Sequence, residues 1–418
     1  MAAPVERVGR IDSGGTVFHE HQDGESQVKN LIDRPIAKRP AAPHGKPSIC
    51  LCMIVKDEAK VIERCLNSVR DLVDTWVISD TGSRDGTQDL IRATFEGIPG
   101  ELHEDPWTNF GHNRTLNIQR AHGKADYLLL IDADMAVRRE GKLSALSELS
   151  ADSYMLRHLG PLEYRIPRLV KGDILWRYEG ATHEYLTTDQ QHTVADLQVL
   201  SIEHFADGGS RGDKFTRDVR LLRDDLKRDP DNPRTVFYLA QTLRDMGKTR
   251  DSIAAYERRA GMGGWDEEVY YALLQVGVLK ADSGDWPGAV EALTQAWESR
   301  PQRLEACYEL VSRLRKKGRY QAANAFAVAG LNRPAPKDWL FVEPWVYSWG
   351  LLFEHSITSY WTGDAHGSLA SCDRLLALPD LPANFRQQTI SNRKFAADRV
   401  AAGTGRSAHS TFARTRTA

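Results

Sequence analysis

The chain has 418 residues, enough for two to four domains of roughly 100–200 residues each, and its 41% hydrophobic and 27% charged residues are an ordinary globular composition. Lys+Arg total 55 against Asp+Glu 57, a net charge of -2, which argues against a dedicated nucleic-acid binder, since phosphate contacts usually require a basic surplus, while leaving room for a local basic groove. No apolar run approaches the roughly 18 residues of a membrane span, and MAAPVERVGRIDSGG lacks the apolar centre of a secretory leader.

Residues 1–46 are polar, rich in Gly and Pro, and without periodicity, so a flexible arm is expected there. SICLCMIV then reads as a buried strand. Alternation puts Cys50 and Cys52 on one face of it, as two small core residues. With five cysteines and no CxxC pair, the expected setting is reduced and cytoplasmic. EAKVIERCLNSVRDLV has helical spacing, TWVISD is a second strand ending in Asp80, and TGSRDGT is turn chemistry. Two more helical stretches follow, TQDLIRATFEGI and RTLNIQRAHGK, and YLLLIDADM is a third strand ending in carboxylates. Strand–helix alternation predicts an α/β domain over 47–211 with a mostly parallel, Rossmann-like sheet, whose ligands bind beyond the carboxyl ends of the strands.

From 212 to 400 the pattern is helical and repetitive. Gly247, Gly284 and Gly318 mark turns 37 and 34 residues apart, near the tetratricopeptide period of helix–turn–helix units, with a degenerate copy around Gly363. In the best copy Gly277, Ala289, Ala296 and Pro301 fall where that repeat places small residues and a terminal proline. Such pairs bury their apolar faces only by stacking. The tryptophans here, Trp286 and Trp297 among them, read as core or groove residues. A disordered tail is expected over 401–418.

The chemistry centres on Asp132-Ala133-Asp134. Residues i and i+2 of a strand share a face, so two carboxylates at a strand end can hold a hard cation such as Mg²⁺ or Mn²⁺. Asp80, also at a strand end beside a glycine turn, can accept a hydrogen bond from a nucleobase or ribose; the same carboxylate can simply hold the turn. Lys56, Asp57 and Glu58 follow the first strand.

The order of these pieces, a strand then KDE, a strand then SDTGSRDGT, and a strand then DAD, resembles family 2 glycosyltransferases of the GT-A fold. With the repeats attached, the chain looks like the branch that carries a C-terminal tetratricopeptide domain. The resemblance implies a metal-dependent, inverting transfer of a hexosyl group from a nucleotide-sugar, by preference a UDP-sugar. It assigns Lys56, Glu58, Asp80, Asn113, Arg114 and Asp132 to the nucleotide-sugar, and Asp134, Asp132 and His204 to a Mn or Mg ion. Ser79 replaces the first carboxylate of the usual second-strand motif, which weakens the choice of nucleotide. The usual later Glu-Asp motif is absent, and YEGATHEY supplies acid–base types in its place: Glu184 first, then Glu179 and His183. Glu184 and His183 can equally fix a loop by hydrogen bonding, and His204 can equally be a core histidine. The acceptor implied is a peptide or protein selected by the repeats, which could instead mediate homo-oligomerisation. Transfer to a small molecule or cell-surface glycan precursor, and a non-catalytic nucleotide-binding adaptor, are the alternatives. A nucleotidyltransferase finds no Gly-rich phosphate loop.

Overall fold

A computed structural model describes residues 46–159, 164–208, 214–338 and 340–412. The expected arm over 1–46 therefore falls almost wholly outside the described residues. The chain divides into two compact units, 1–179 with 184–212, and 180–183 with 213–418.

The first unit is built on an eight-stranded sheet. In chain order its strands are β1 (Ile49–Val55), β2 (Thr75–Asp80), β3 (Gly100–Glu104), β4 (Tyr127–Leu130), β5 (Met135–Arg139), β6 (Ser153–Leu159) and β7 (Tyr164–Lys171). The hairpin β8 (Arg177–Glu179) and β9 (Tyr185–Thr187) stands apart, and β10 (Val194–His204) completes the sheet. The strand order is β3-β2-β1-β4-β7-β6-β10-β5. From β3 to β4 all neighbours are parallel. Beyond β4 the sheet turns mixed, with β7 antiparallel to β4 and β6, β10 parallel to β6, and β5 antiparallel to β10.

β1 lies in the middle and is buried on both faces, as its unbroken apolar run requires. Ile49, Leu51, Met53 and Val55 face one core with Ile62, Cys65, Leu66 and Val69 of helix α1 (Ile62–Val69) and Ile91 of α2 (Thr87–Thr94). Cys50 and Cys52 face the other with Ile118 and Ala121 of α3 (Phe110–Ala121) and with Trp176. Both cysteines are thus core residues. Strands past β4 escaped the sequence reading because they mix polar and apolar residues. β3 escaped as an edge strand, GELHE, with little to bury.

The second unit is helical. After α4 (Lys214–Arg228) come four antiparallel pairs: α5 (Pro233–Asp245) with α6 (Thr249–Gly261), α7 (Asp266–Asp282) with α8 (Trp286–Ser299), α9 (Glu305–Lys316) with α10 (Tyr320–Gly330), and α11 (Leu351–Trp361) with α12 (Ala365–Leu376). The tight turn within each pair holds Gly247, Gly284, Gly318 or Gly363, at φ 69°, 92°, 72° and 96°. That left-handed conformation is strained for any residue with a Cβ. Gly277 packs so close to Leu293 that a Cβ there would meet the side chain at 2.5 Å, and Ala289 and Ala296 are fully buried. The small positions of the repeat are contact positions between α7 and α8. α13 (Ala383–Phe412) closes the unit. Of the segment expected as a tail, 401–412 belongs to this helix, and 413–418 lies outside the described residues.

Candidate active site in the sheet unit

β1, β2 and β4 run parallel, so the loops after them open on one edge of the sheet. Two of those loops are stitched together. The Glu58 amide donates to Thr87 Oγ1 (2.8 Å), the Asp57 amide to Ser83 Oγ (2.9 Å) and the Arg84 amide to Asp57 Oδ1 (2.8 Å). Asp85 ties the assembly by accepting from the Ala59 amide and the Thr87 hydroxyl. Burial works against its charge, but these donors hold its carboxyl below the ordinary value. Asp57 takes φ 53° to make the arrangement.

Asp80 is buried at the end of β2. Its Oδ1 accepts from the amides of Gly82 (2.6 Å) and Ser83 (2.7 Å), the turn-holding role. Oδ2 has no hydrogen-bond partner among the described residues. Buried acceptors are almost always paired, and this one is an exception. Ser79, which replaces the expected carboxylate, is fully buried and faces α3, taking a hydrogen bond from Asn117 Nδ2 (3.1 Å). Arg120 of the same helix pairs with Asp105. Asn113, Asn117 and Arg120 are spaced four and three apart, one helical face, and that spacing could have singled out the last two.

Asn113 does not lie open to a ligand. Its Oδ1 accepts from the Thr108 amide (3.0 Å) and its Nδ2 donates to Pro106 O (3.0 Å), so the amide braces the loop before α3. Arg114 is the centre of a charge chain. Nε bonds Glu184 Oε1 at 2.7 Å and Nη2 bonds Asp132 Oδ1 at 2.6 Å. Burial opposes its charge, but the two carboxylates more than compensate and raise its pKa. On the other side of Asp132, Arg168 Nη2 lies 3.6 Å from Oδ2. Burial alone would raise the Asp132 pKa; the two arginines bring it down to about 2. Asp132 is thus paired with two arginines. Arg168 also reaches His158 at 3.1 Å. His158 is kept neutral first by burial and then by that guanidinium, its pKa lowered to about 3. Neither residue was found from sequence, for nothing in HLGPLEYRIPR marks them as charge partners of a motif some 30 residues earlier.

Asp134 pairs instead with His204 at the end of β10, Oδ2 to Nε2 at 3.2 Å. The β5–β10 pairing makes this contact, placing His204 opposite Met135. Glu58 joins them across Gly208. A Cβ on Gly208 would lie 3.1 Å from Glu58 Oε2 and 3.3 Å from Asp134 Oδ2, so the chain passes both carboxylates as only glycine comfortably can. Arg64 and Asp207 fasten that passage with two hydrogen bonds of 2.9 and 2.6 Å. Among the described residues no three His, Cys, Asp or Glu side chains are grouped as a formed metal site. Lys56 is exposed.

The YEGATHEY segment is split. Glu184 belongs to the Arg114 chain. Glu179 is bound by Arg177 and by the Tyr185 hydroxyl (2.5 Å), which takes both of its oxygens. His183 packs within the helical unit, its ring stacked on Tyr238 with centroids 4.3 Å apart. Burial is the main cause of its lowered pKa. It takes φ 54°, and its carbonyl accepts from Arg234.

Residues 50–154 match the family described as Glycosyl transferase family 2. This segment is a family 2 glycosyltransferase domain. The SPbeta prophage-derived glycosyltransferase SunS of Bacillus subtilis is 25% identical over 223 residues, covering 50% of this chain and 52% of SunS. A TPR repeat-containing protein of Synechococcus elongatus is 28% identical over 305 residues, 68% of this chain and 66% of that protein. The chain thus spans between half and two thirds of the length of these relatives. Of solved structures, MamA is 18% identical, covering 40% of this chain and 83% of MamA, at a TM-score of 0.32. The TPR protein YrrB is 12% identical, covering 44% of this chain and 86% of YrrB, at 0.33. Scores this low add nothing to the helix pairs described above. No described helix is long and apolar enough to cross a membrane.

Proposed function

We propose that the chain is an inverting glycosyltransferase that moves a sugar from a nucleotide-sugar, by preference a UDP-sugar, to a peptide or protein chosen by the helical repeats. The observation that carries the reading is Asp80, buried at the carboxyl end of a parallel strand in a family 2 domain with one oxygen left without a donor. A nucleobase N–H or ribose hydroxyl supplies that donor. Glu58, Asp132 and Asp134 lie on the same edge of the sheet.

A divalent ion fits Asp134 and His204. Their carboxylate and imidazole, already side by side at 3.2 Å, are ligand types that would hold Mg²⁺ or Mn²⁺. Asp132, tied to two arginines, would act beside the ion rather than on it. When bound, Mn²⁺ or Mg²⁺ would offset the charge of the departing diphosphate.

The remaining roles fall to the chain's own groups. Arg114 supplies positive charge beside the diphosphate. Glu184 is the base: its carboxylate takes the proton of an acceptor hydroxyl or thiol while the freed oxygen or sulfur bonds to the anomeric carbon and the nucleoside diphosphate leaves with its bonding pair.

The test is incubation with a panel of nucleotide-sugars and divalent metals, reading nucleoside diphosphate release. The expected result is release with one donor, dependent on added metal and lost in Asp134→Ala. No release from any donor, or an Asp134→Ala protein that binds UDP with metal as the parent does, refutes the assignment.

A further inference from the structure

Arg168 on β7 is buried, and each part of its guanidinium is engaged. Nη1 donates to Leu130 O at 3.2 Å, Nη2 lies 3.6 Å from Asp132 Oδ2 and 3.7 Å from Met135 Sδ, and Nε donates to His158 Nε2 at 3.1 Å. Those contacts bracket the D-A-D turn, from the last residue of β4 to the first of β5. A guanidinium is a rigid planar fork. Fixing one edge of it therefore fixes where the other donors point.

His158 on β6 fixes that edge. It is fully buried, with its ring stacked on Tyr164 at 4.7 Å between centroids. Because Arg168 Nε can only donate, His158 Nε2 is the acceptor and the imidazole proton sits on Nδ1. Nδ1 has no partner among the described residues. An unpaired buried N–H is a standing cost, and an aromatic or aliphatic residue would fill the same space without it. Among the described residues the side-chain hydrogen bond of His158 is with Arg168.

We propose that His158 and Arg168 are a positioning pair for the donor-binding turn: the neutral imidazole, protonated on Nδ1, sets the plane of Arg168, which holds the Leu130 carbonyl and one Asp132 oxygen so that the other oxygen meets Arg114. This inference rests on the reading of the turn as the donor site. Neither residue touches donor or acceptor.

Three variants of the full chain test it. His158→Phe keeps a ring on Tyr164 and removes the acceptor. His158→Gln restores an acceptor oxygen. Arg168→Lys keeps the charge and loses the fork. With nucleoside diphosphate release as the assay, His158→Phe and Arg168→Lys lower kcat about 10- to 100-fold, as removal of a group supporting first-contact residues does. KM for the donor stays within about threefold, because Asp80 and Asp132 are retained. His158→Gln recovers to within about threefold of the parent. A pure packing role predicts no rescue by Gln. The second readout needs no turnover: ¹⁵N spectra of histidine-labelled protein at pH 7, assigned by the signal missing from His158→Gln, show His158 protonated on Nδ1 and bare on Nε2. Turnover in His158→Phe equal to the parent, a Gln variant as poor as the Phe variant, or a protonated Nε2 overturns the inference. Should His158→Phe not fold, Arg168→Lys and the spectra decide. Should the parent release no nucleoside diphosphate from any donor, the donor-site reading fails by itself, and the tautomer alone judges the pair.

Discussion

Replacing Arg114 by methionine removes the cation between two carboxylates while keeping most of its stem. The side chains of Arg114, Asp132 and Glu184 are only 16%, 22% and 14% exposed, so little water takes its place. Asp132 measures part of the loss. Its pKa stands at about 2 against an ordinary 3.8, which is about 2 kcal/mol of stabilisation at neutral pH. Without Arg114 the larger of the two cations that lower it is gone, and the carboxyl rises toward its ordinary range. The Glu184 pair adds about 1 kcal/mol, for a total of about 3 kcal/mol, the low end for breaking a buried pair. The pH dependence has a definite sign. A depressed carboxyl pKa stabilises above the unfolded value of 3.8 and loses that stabilisation as pH falls through about 2. The Asp132 share of the deficit is thus full at pH 7, about half by pH 3, and nearly gone near pH 2. Hydrogen exchange of the β1 and β4 peptides across a urea series reads the sheet unit apart from the helices. A variant within about 0.5 kcal/mol of the parent at pH 7, or a deficit unchanged in acid, refutes the reasoning.

Asp80→Asn should weaken UDP binding at least tenfold in calorimetry, since the amide cannot both hold the Gly82–Ser83 turn and accept from the nucleoside as a carboxylate does. Glu184→Gln should lower kcat by 100-fold or more in the release assay with acceptor present. Glu179→Gln, altered where Arg177 and Tyr185 occupy the carboxylate, should stay within about threefold of the parent. Gly284→Ala places a Cβ at φ 92° and should cost the helical unit about 1–2 kcal/mol, seen as an earlier urea transition for the α7 and α8 peptides.

Much of this protein is legible along the chain because the interactions concerned are local. An unbroken apolar run, SICLCMIV, can only be a strand buried on both sides, and its alternate residues do divide between two cores. Turn glycines spaced about one repeat apart announce helix pairs, and all four sit at positive φ. D-A-D at a strand end likewise follows from burial of the residues before it and solvation of those after. What the chain order could not show is which charge meets which. Asp132 and Asp134 share a strand end, yet one turns to Arg114 and Arg168 and the other to His204, because β7 and β10 arrive from distant sequence on different sides of the turn. YEGATHEY reads as one cluster of acid–base groups, but the fold sends Glu184 into the sheet unit and His183 among the helices. Asn113 has the right address for a ligand contact and spends its amide on a loop. Backbone preference and apolar periodicity are properties of neighbours in sequence, and they set the elements. Partnership among buried charges depends on strand order and register, and only the packed sheet decides it.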